Sequence, residues 1–404
     1  MGEIGFTYAG LSGKTQKDFG RGKPFIPFMN IMSNGKIDPK FMGLVDVAPN
    51  ERQNAVQKGD LFFTTSSETP EEVGMTSVLL EDVGECYLNS FCFGFRLFNF
   101  DDLIPEFAPY LFRGNDVRKQ IINLGQGYTR FNLPKTELLK KLKLSLPSEN
   151  EQKKISAILT KADSIIEKTQ SAIAKYKAIK QGMLQDLFTR GIDLNTNKLR
   201  PRYQDAPELY KESKLGMIPR EWDDDVLGNI ISVSSGEGLT QENIKPGIHL
   251  IYGGNGINGS HSEYLFEDSK LIIGRVGEYC GNAYITKPFS WVTDNALVVT
   301  PLKKVFLMNF WQYYLNFLDL NSLAFVGAQP VITGGLINKV VVKEIPEDEQ
   351  ILIAERLKTI DNKLHIEQTY LQKMQSLKKG LMEDLLSGRK QVKVAEEVLT
   401  QSEN

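Results

Sequence analysis

Two stretches decide the reading of this chain: PSENEQKKISAILTKADSIIEKTQSAIAKYKAIKQGMLQDLF at 147–188 and PEDEQILIAERLKTIDNKLHIEQTYLQKMQSLKKGLMEDLL at 346–386. They are one segment written twice. With Glu151-Gln152 set on Glu349-Gln350, Ile155 falls on Ile353, Leu159 on Leu357, Asp163 on Asp361, Gln170 on Gln368 and Gly182 on Gly380. The motif Asp186-Leu187 falls on Asp384-Leu385. In the first copy Ile155, Ile158, Ala162, Ile165, Thr169, Ala172, Tyr176, Ile179 and Met183 step by alternating threes and fours, and Leu187 follows four on. That is a heptad seam on a long helix. The second copy keeps the rhythm from Ile353 to Leu385, broken at Glu367 and Lys378, where Ile366, Tyr370 and Leu377 are read as widening the stripe. Each opens with a proline and acidic residues, suited to the positive end of a helix dipole. A helix of about 40 residues is roughly 60 Å long. A one-sided apolar seam of that length needs a partner, and the economical one is the other copy.

Composition bounds the rest. The chain has 404 residues, 41% apolar and 24% charged, with a net charge of -2. The length allows two to three domains. A chain that grips nucleic acid alone is usually more basic, so the charge excludes a uniformly basic surface. Three cysteines, Cys86, Cys92 and Cys280, form no C-x-x-C, and the histidines are scattered, so neither a disulfide framework nor a metal site is expected. The most apolar candidate span, Val305 to Phe325, is broken by Asn309, Gln312, Asn316, Asp319 and Asn321. A cytoplasmic protein is expected.

The matter before each helix also repeats. Residues 1–146 form a first domain, with β-type runs at Phe25 to Ile31, Leu61 to Thr65, Ser77 to Leu80 and Phe91 to Leu97. A helix-like piece around Phe107, Tyr110, Leu111 and Val117 follows, then the polar loop 125–132 and a last strand-like run ending at Leu146-Pro147. The long helix occupies 147–190, and 191–221 is a polar, proline-bearing connector. A second domain spans 222–345, the second helix 346–388 and a flexible tail 389–404. Leu271-Ile272-Ile273 stands for Leu61-Phe62-Phe63, Ala296 to Thr300 for Phe91 to Phe95, and Phe310 and Tyr313 for Phe107 and Tyr110. Gly327-Ala328-Gln329 is set on Gly125-Gln126-Gly127. Met1-Gly2-Glu3-Ile4 matches Leu227-Gly228-Asn229-Ile230, so the lead-in of the second domain, Gly216 to Trp222, has no counterpart and the start is expected to be short or truncated.

Catalytic motifs do not close. Gly13-Lys14-Thr15 lacks the upstream glycine of a phosphate loop, where Tyr8 stands. Gly254-Asn255-Gly256-Ile257-Asn258-Gly259 fits G-x-G-x-x-G, but no helix start follows. The chain has no Pro-Pro pair, and hence none of the loops by which adenine methyltransferases grip the target amino group. No nucleophile-base grouping or carboxylate cluster takes a recognisable spacing, so a non-catalytic chain is expected.

Taken in order, Tyr8-Ala9-Gly10-Leu11-Ser12-Gly13-Lys14-Thr15, Gly59-Asp60-Leu61, Tyr252-Gly253-Gly254-Asn255-Gly256-Ile257, the Gly327-Ala328-Gln329 loop and the two helix openings carry a resemblance. The chain resembles the specificity subunits of type I restriction-modification systems over nearly its whole length. The resemblance implies an α+β chain of two similar mixed α/β target-recognition domains, separated by two long antiparallel helices forming a coiled-coil rod. It implies binding to double-stranded DNA, with each domain reading one half of a split target. The implied partners are two modification (methyltransferase) subunits, which carry S-adenosylmethionine, and restriction subunits. The chain itself would hold no cofactor. A structural adaptor with two binding domains on a rod is the alternative.

Polar loops are the candidates for base contacts, because Arg, Asn and Gln offer paired hydrogen bonds to guanine or adenine edges. In the first domain these are Thr64, Thr65, Ser66, Ser67, Tyr128, Thr129, Arg130 and Asn132; in the second, Asn255, Asn258, Arg275 and Gln329. Gly182, Asp186, Leu187, Gly380, Asp384 and Leu385 are the candidate helix-packing or partner positions. Glycine inside a helix costs roughly 1 kcal/mol relative to alanine, which a close approach by the other helix or by a partner would explain.

Overall fold

The computed structural model describes residues 1–325 and 329–393. It divides into two units, one of Met1–Gln170 with the segment from Thr369 onward, the other of Ser171–Gln368. Each unit combines one α/β domain with a half of each long helix. These helices run Glu149–Thr189, 41 residues, and Glu347–Leu386, 40 residues.

In the first unit, Ile155 and Leu159 share a buried core with Leu385, while Asp163 meets Lys378 at 2.5 Å. As one number rises the other falls, so the helices are antiparallel. The second unit repeats this with Leu187 and Phe188 in one core with Ile353 and Leu357, and Lys180 on Asp361 at 2.5 Å. The two ion pairs are the same pair in the two copies. Each aspartate also accepts a domain tyrosine hydroxyl at 2.7 Å, Tyr110 onto Asp163 and Tyr313 onto Asp361. Each lysine lies over that tyrosine ring. The seam is buried near the domains but not throughout: Ile179, Ile366, Tyr370 and Leu377 are exposed, so the last three do not widen a buried stripe.

Both domains have one topology. In the first, an antiparallel sheet is ordered Gly5–Ala9, Cys92–Leu97, Leu61–Thr64, Thr76–Val78; in the second, Ile231–Ser235, Ala296–Pro301, Leu271–Gly274, Ala283–Ile285. The central strands Leu61–Thr64 and Leu271–Gly274 are buried on both faces, which is why they read as unbroken apolar runs. Leu61 and Phe63 face the helical side, where Phe63 stacks on Phe93 at 5.2 Å, and Phe62 faces a smaller cluster with Ile26 and Leu88. A second sheet pairs Phe19–Ile26 with Tyr87–Leu88 in parallel, as His249–Gly253 pairs with Trp291–Val292. The run expected as a strand to Ile31 ends at Ile26. Pro27 supplies no N–H to a ladder, and Phe28–Ser33 is helical. The helix-like piece is two helices, Ala108–Arg113 and Asn115–Leu124, and the run before Pro147 holds the helix Lys135–Lys141.

The stretch 191–221 is folded, not loose. It forms hairpins Ile192–Asp193 with Lys198–Leu199 and Tyr210–Ser213 with Gly216–Pro219. Arg200 within it reaches the start of the second helix, where fully buried Glu349 accepts from Arg200 at 2.6 Å and 3.0 Å, from the Trp222 indole N–H at 2.9 Å and from the Ile192 amide at 2.6 Å. The matching Glu151 sits in solvent and takes the Ser148 hydroxyl and amide in a capping box. The expected register of the chain start is observed: Met1 and Gly2 donate to Leu142 and Leu139 as Leu227 and Gly228 donate to Val340 and Asn338. Of the tail, Val392 packs on the first unit's core and Lys154 donates to the Lys393 carbonyl, so 389–393 is not free.

Candidate nucleic-acid interface

In the first domain, strand Ser66–Ser67 pairs with Phe131–Asn132, which brings the two candidate loops onto one surface. The Arg130 side chain reaches back to Ser66, its Nε and Nη2 donating to the hydroxyl at 3.1 Å and 3.0 Å. That leaves Nη1 uncommitted and the end of the guanidinium exposed. Tyr128 at the tip is 99% exposed, and Thr129 and Asn132 are exposed beside it. Thr65 is half-buried, and the Ser67 hydroxyl turns onto the Thr69 carbonyl. Thr64 does not belong to the surface. It is fully buried, its hydroxyl accepting from the Met75 amide at 2.9 Å, because it lies at the end of a strand covered on both faces.

The second domain builds the corresponding surface from the same backbone. The Thr65 amide donates to Phe91 and its carbonyl accepts from Leu133; the Arg275 amide donates to Asn295 and its carbonyl accepts from Ile332. Thr65 and Arg275 are therefore equivalent. Paired bridges Gln126 to Asn132 and Phe325 to Val331 close loops of the same length. This replaces the expected match of Gly327-Ala328-Gln329 with Gly125-Gln126-Gly127 by one three positions along, with Gln329 where Arg130 stands. Val326, Gly327 and Ala328 lie outside the described residues.

Asn255, Asn258 and Gln329 are exposed, and Arg275 is half-buried with Nη1 3.3 Å from the Ser235 hydroxyl. The glycine run around Asn255 is a β-hairpin, His249–Gly253 with Gly256–His261, and not the turn into a helix that a dinucleotide needs. Gly254 is required by packing: a Cβ there would stand 2.7 Å from the Val276 carbonyl oxygen. Asp60 of the Gly59-Asp60-Leu61 motif is structural, being buried and accepting from Arg96 Nε and Nη2 and from the Tyr8 hydroxyl.

The helix glycines have room. A Cβ at Gly182 or Gly380 would meet nothing within 4 Å, so no close helix approach explains them. Leu187 and Leu385 are core residues, and Asp186 and Asp384 pair with Arg190 and Lys390. Sequence reasoning missed Met29 and Phe91, 52% and 59% exposed, which with Phe28 and Met32 wall a cleft of about 730 Å³ beside Arg130. Exposed apolar side chains next to a polar loop are the signal, but only the fold brings these segments together. Among the described residues no cluster of His, Cys, Asp or Glu could hold a metal ion, and no helix is long and apolar enough to cross a membrane.

Comparison with known proteins agrees with this duplication. The type I restriction modification DNA specificity domain matches residues 11–175 and again 219–376. A Methanocaldococcus jannaschii protein, provisionally named the MjaX specificity subunit of a type I restriction enzyme, is 27% identical over 95% of this chain and 91% of its own length. The crystal structure of the S subunit of a type I restriction-modification system from M. genitalium is similar at a TM-score of 0.59 and 16% identity, covering 95% of this chain and 94% of its own. A structure described as addressing complex assembly and conformational transition of the type I R-M system is similar at 0.53 and 14% identity, over 95% and 96%.

Proposed function

The chain belongs to the type I restriction-modification DNA specificity family, and on that premise we propose that its two domains read the two halves of one split, asymmetric duplex target. The supporting observation is the pair of equivalent surfaces around Thr65 and Arg275, built on identical backbone hydrogen bonds but carrying different side chains. One scaffold with two sets of exposed polar groups suits two different short sequences, since base edges specify and phosphates only position.

Arg130 is the clearest reader. Ser66 fixes its orientation through Nε and Nη2, and the outer fork remains for the O6 and N7 acceptors of a guanine. Asn255 and Gln329 suit adenine in the second half. The chain performs no chemistry. Two modification subunits dock along the long helices, hold S-adenosylmethionine and methylate adenine, and restriction subunits join that cytoplasmic complex. Phosphate clamping shared with those subunits would reconcile a net charge of -2 with DNA binding.

Mapping methylated adenines in a plasmid library, with the chain and its modification subunits, tests this. Arg130→Ala should relax one base position in one half only. Relaxation in both halves, or methyl transfer by the chain alone, would overturn the assignment.

A further inference from the structure

The two reading surfaces differ in kind. Three residues beyond the matched strand residues Ile26 and Tyr252 the domains part: the first turns into the helix Phe28–Ser33, which carries exposed Met29, and the second into the hairpin turn that carries Asn255. Phe91, whose carbonyl accepts the Thr65 amide, stands where the second domain has Asn295. An exposed phenylalanine in one domain thus replaces an exposed asparagine in the other, and Met29 adds a second exposed apolar side chain on the first domain's side. Met29 and Phe91 line the 730 Å³ cleft beside Arg130, open to solvent and continuous with the polar loop.

We propose that this cleft is a thymine-reading site, in which Met29 and Phe91 receive the 5-methyl group of a thymine in the half-site bound by the first domain. The proposal rests on the DNA-reading assignment and deepens it. Three features select this occupant. The thymine methyl is the one apolar group that the natural bases present in the major groove, so apolar side chains on a reading surface have one base edge to match. Glu68 and Glu72 line the same cleft, and carboxylates repel a phosphate but tolerate a base edge. Arg130, on the cleft wall, fixes the neighbouring position by its guanidinium.

The test uses the complete complex with its modification subunits and a synthetic duplex carrying the mapped target. Each thymine is replaced in turn by deoxyuridine, which removes only the methyl group. One replacement in the first half should weaken binding about fourfold, the value of one buried methyl at about 0.8 kcal/mol. Replacements in the second half should have no such effect. Met29→Ala and Phe91→Ala should bind thymine and deoxyuridine targets equally, a discrimination that a merely structural role would not alter. Both residues are exposed, so folding is preserved. Equal affinity of the native complex for every deoxyuridine duplex would overturn the proposal, as would a first half-site with no thymine on either strand. If Met29→Ala instead impairs subunit assembly with unchanged discrimination, the cleft binds protein and the proposal falls. A complex that binds no specific duplex would refute the DNA-reading assignment itself, a distinguishable result.

Discussion

Replacing Glu349 by alanine should be the most damaging single change outside the apolar cores. Its carboxylate has no exposed surface and Arg200 only 6%, so the pair has little solvent to screen it. Deleting Glu349 leaves the buried guanidinium only the solvent-facing Glu221, at 3.5 Å, as a counter-charge, a loss of about 3–5 kcal/mol. The Trp222 and Ile192 N–H groups lose their acceptor as well, placing the change at the upper end of that range. All three tryptophans, Trp222, Trp291 and Trp311, lie in the second unit, so their fluorescence reports that unit selectively. At a slope of about 3 kcal/mol per molar urea, the midpoint should fall by more than about 1 M. Glu151→Ala, the same position in the first copy, should leave the tryptophan midpoint unmoved. Joint replacement by Glu349→Leu and Arg200→Met should recover most of the loss, because the stranded charge is then gone. A midpoint within about 0.3 M of the native value for Glu349→Ala would refute the reasoning, as would a double variant no better than the single one.

The remaining predictions concern charge and register. Burial pulls the Lys343 ammonium down to about 8 from its usual value, so between about pH 8 and 10.5 the unfolded chain binds the additional proton. Stability attributable to Lys343 therefore rises across that window; subtracting the urea midpoints of Lys343→Met from native values should show the rise, and a falling difference would contradict it. Reversing the half-buried Asp163 and Lys378 together should restore most of what either reversal loses, with a coupling of about 0.5–1 kcal/mol in a double-mutant cycle; zero coupling would mean the pair does not hold the helix register. Cys86, pushed up to about 11 by burial, should react with iodoacetamide at pH 8 only after unfolding, and rapid reaction of the folded chain would show that the small core with Ile26 and Leu88 opens.

The duplication was legible because its signal is periodic. Heptad spacing survives in Ile155, Ala162, Ile353 and Leu357 whatever the tertiary context, and these residues are buried, although beside Ile155 it is Leu159 that enters the core and the seam residue Ile158 that stays half-buried. The central strands were equally plain, since burial on both faces leaves an unbroken apolar run. What failed were features set by contacts distant in sequence. Nothing local distinguishes Glu151 from Glu349, yet one caps its helix and the other is enclosed by Arg200, from the stretch taken as a connector, and by Trp222 at the start of the second domain. Thr64 and Thr65 are neighbours of one type, and strand alternation sends one hydroxyl inward to Met75. Met29 and Phe91 lie far apart in sequence, so their common cleft is a product of sheet order.

The same comparison explains how a duplicated chain can hold two specificities on one framework. The positions that the two copies share are those that fix backbone: the bonded amides at Thr65 and Arg275, the parallel strand pairs at Ile26 and Tyr252, and the Tyr-Asp-Lys contacts on the helices. The positions that differ are exposed side chains set upon that backbone: Arg130 against Gln329 and Phe91 against Asn295. Because an exposed substitution away from caps and buried partners changes stability by no more than about 0.5 kcal/mol, these exposed groups, proposed above to read bases, are free to diverge while the cores are not. Specificity can therefore change in one unit through a few surface residues without disturbing its fold.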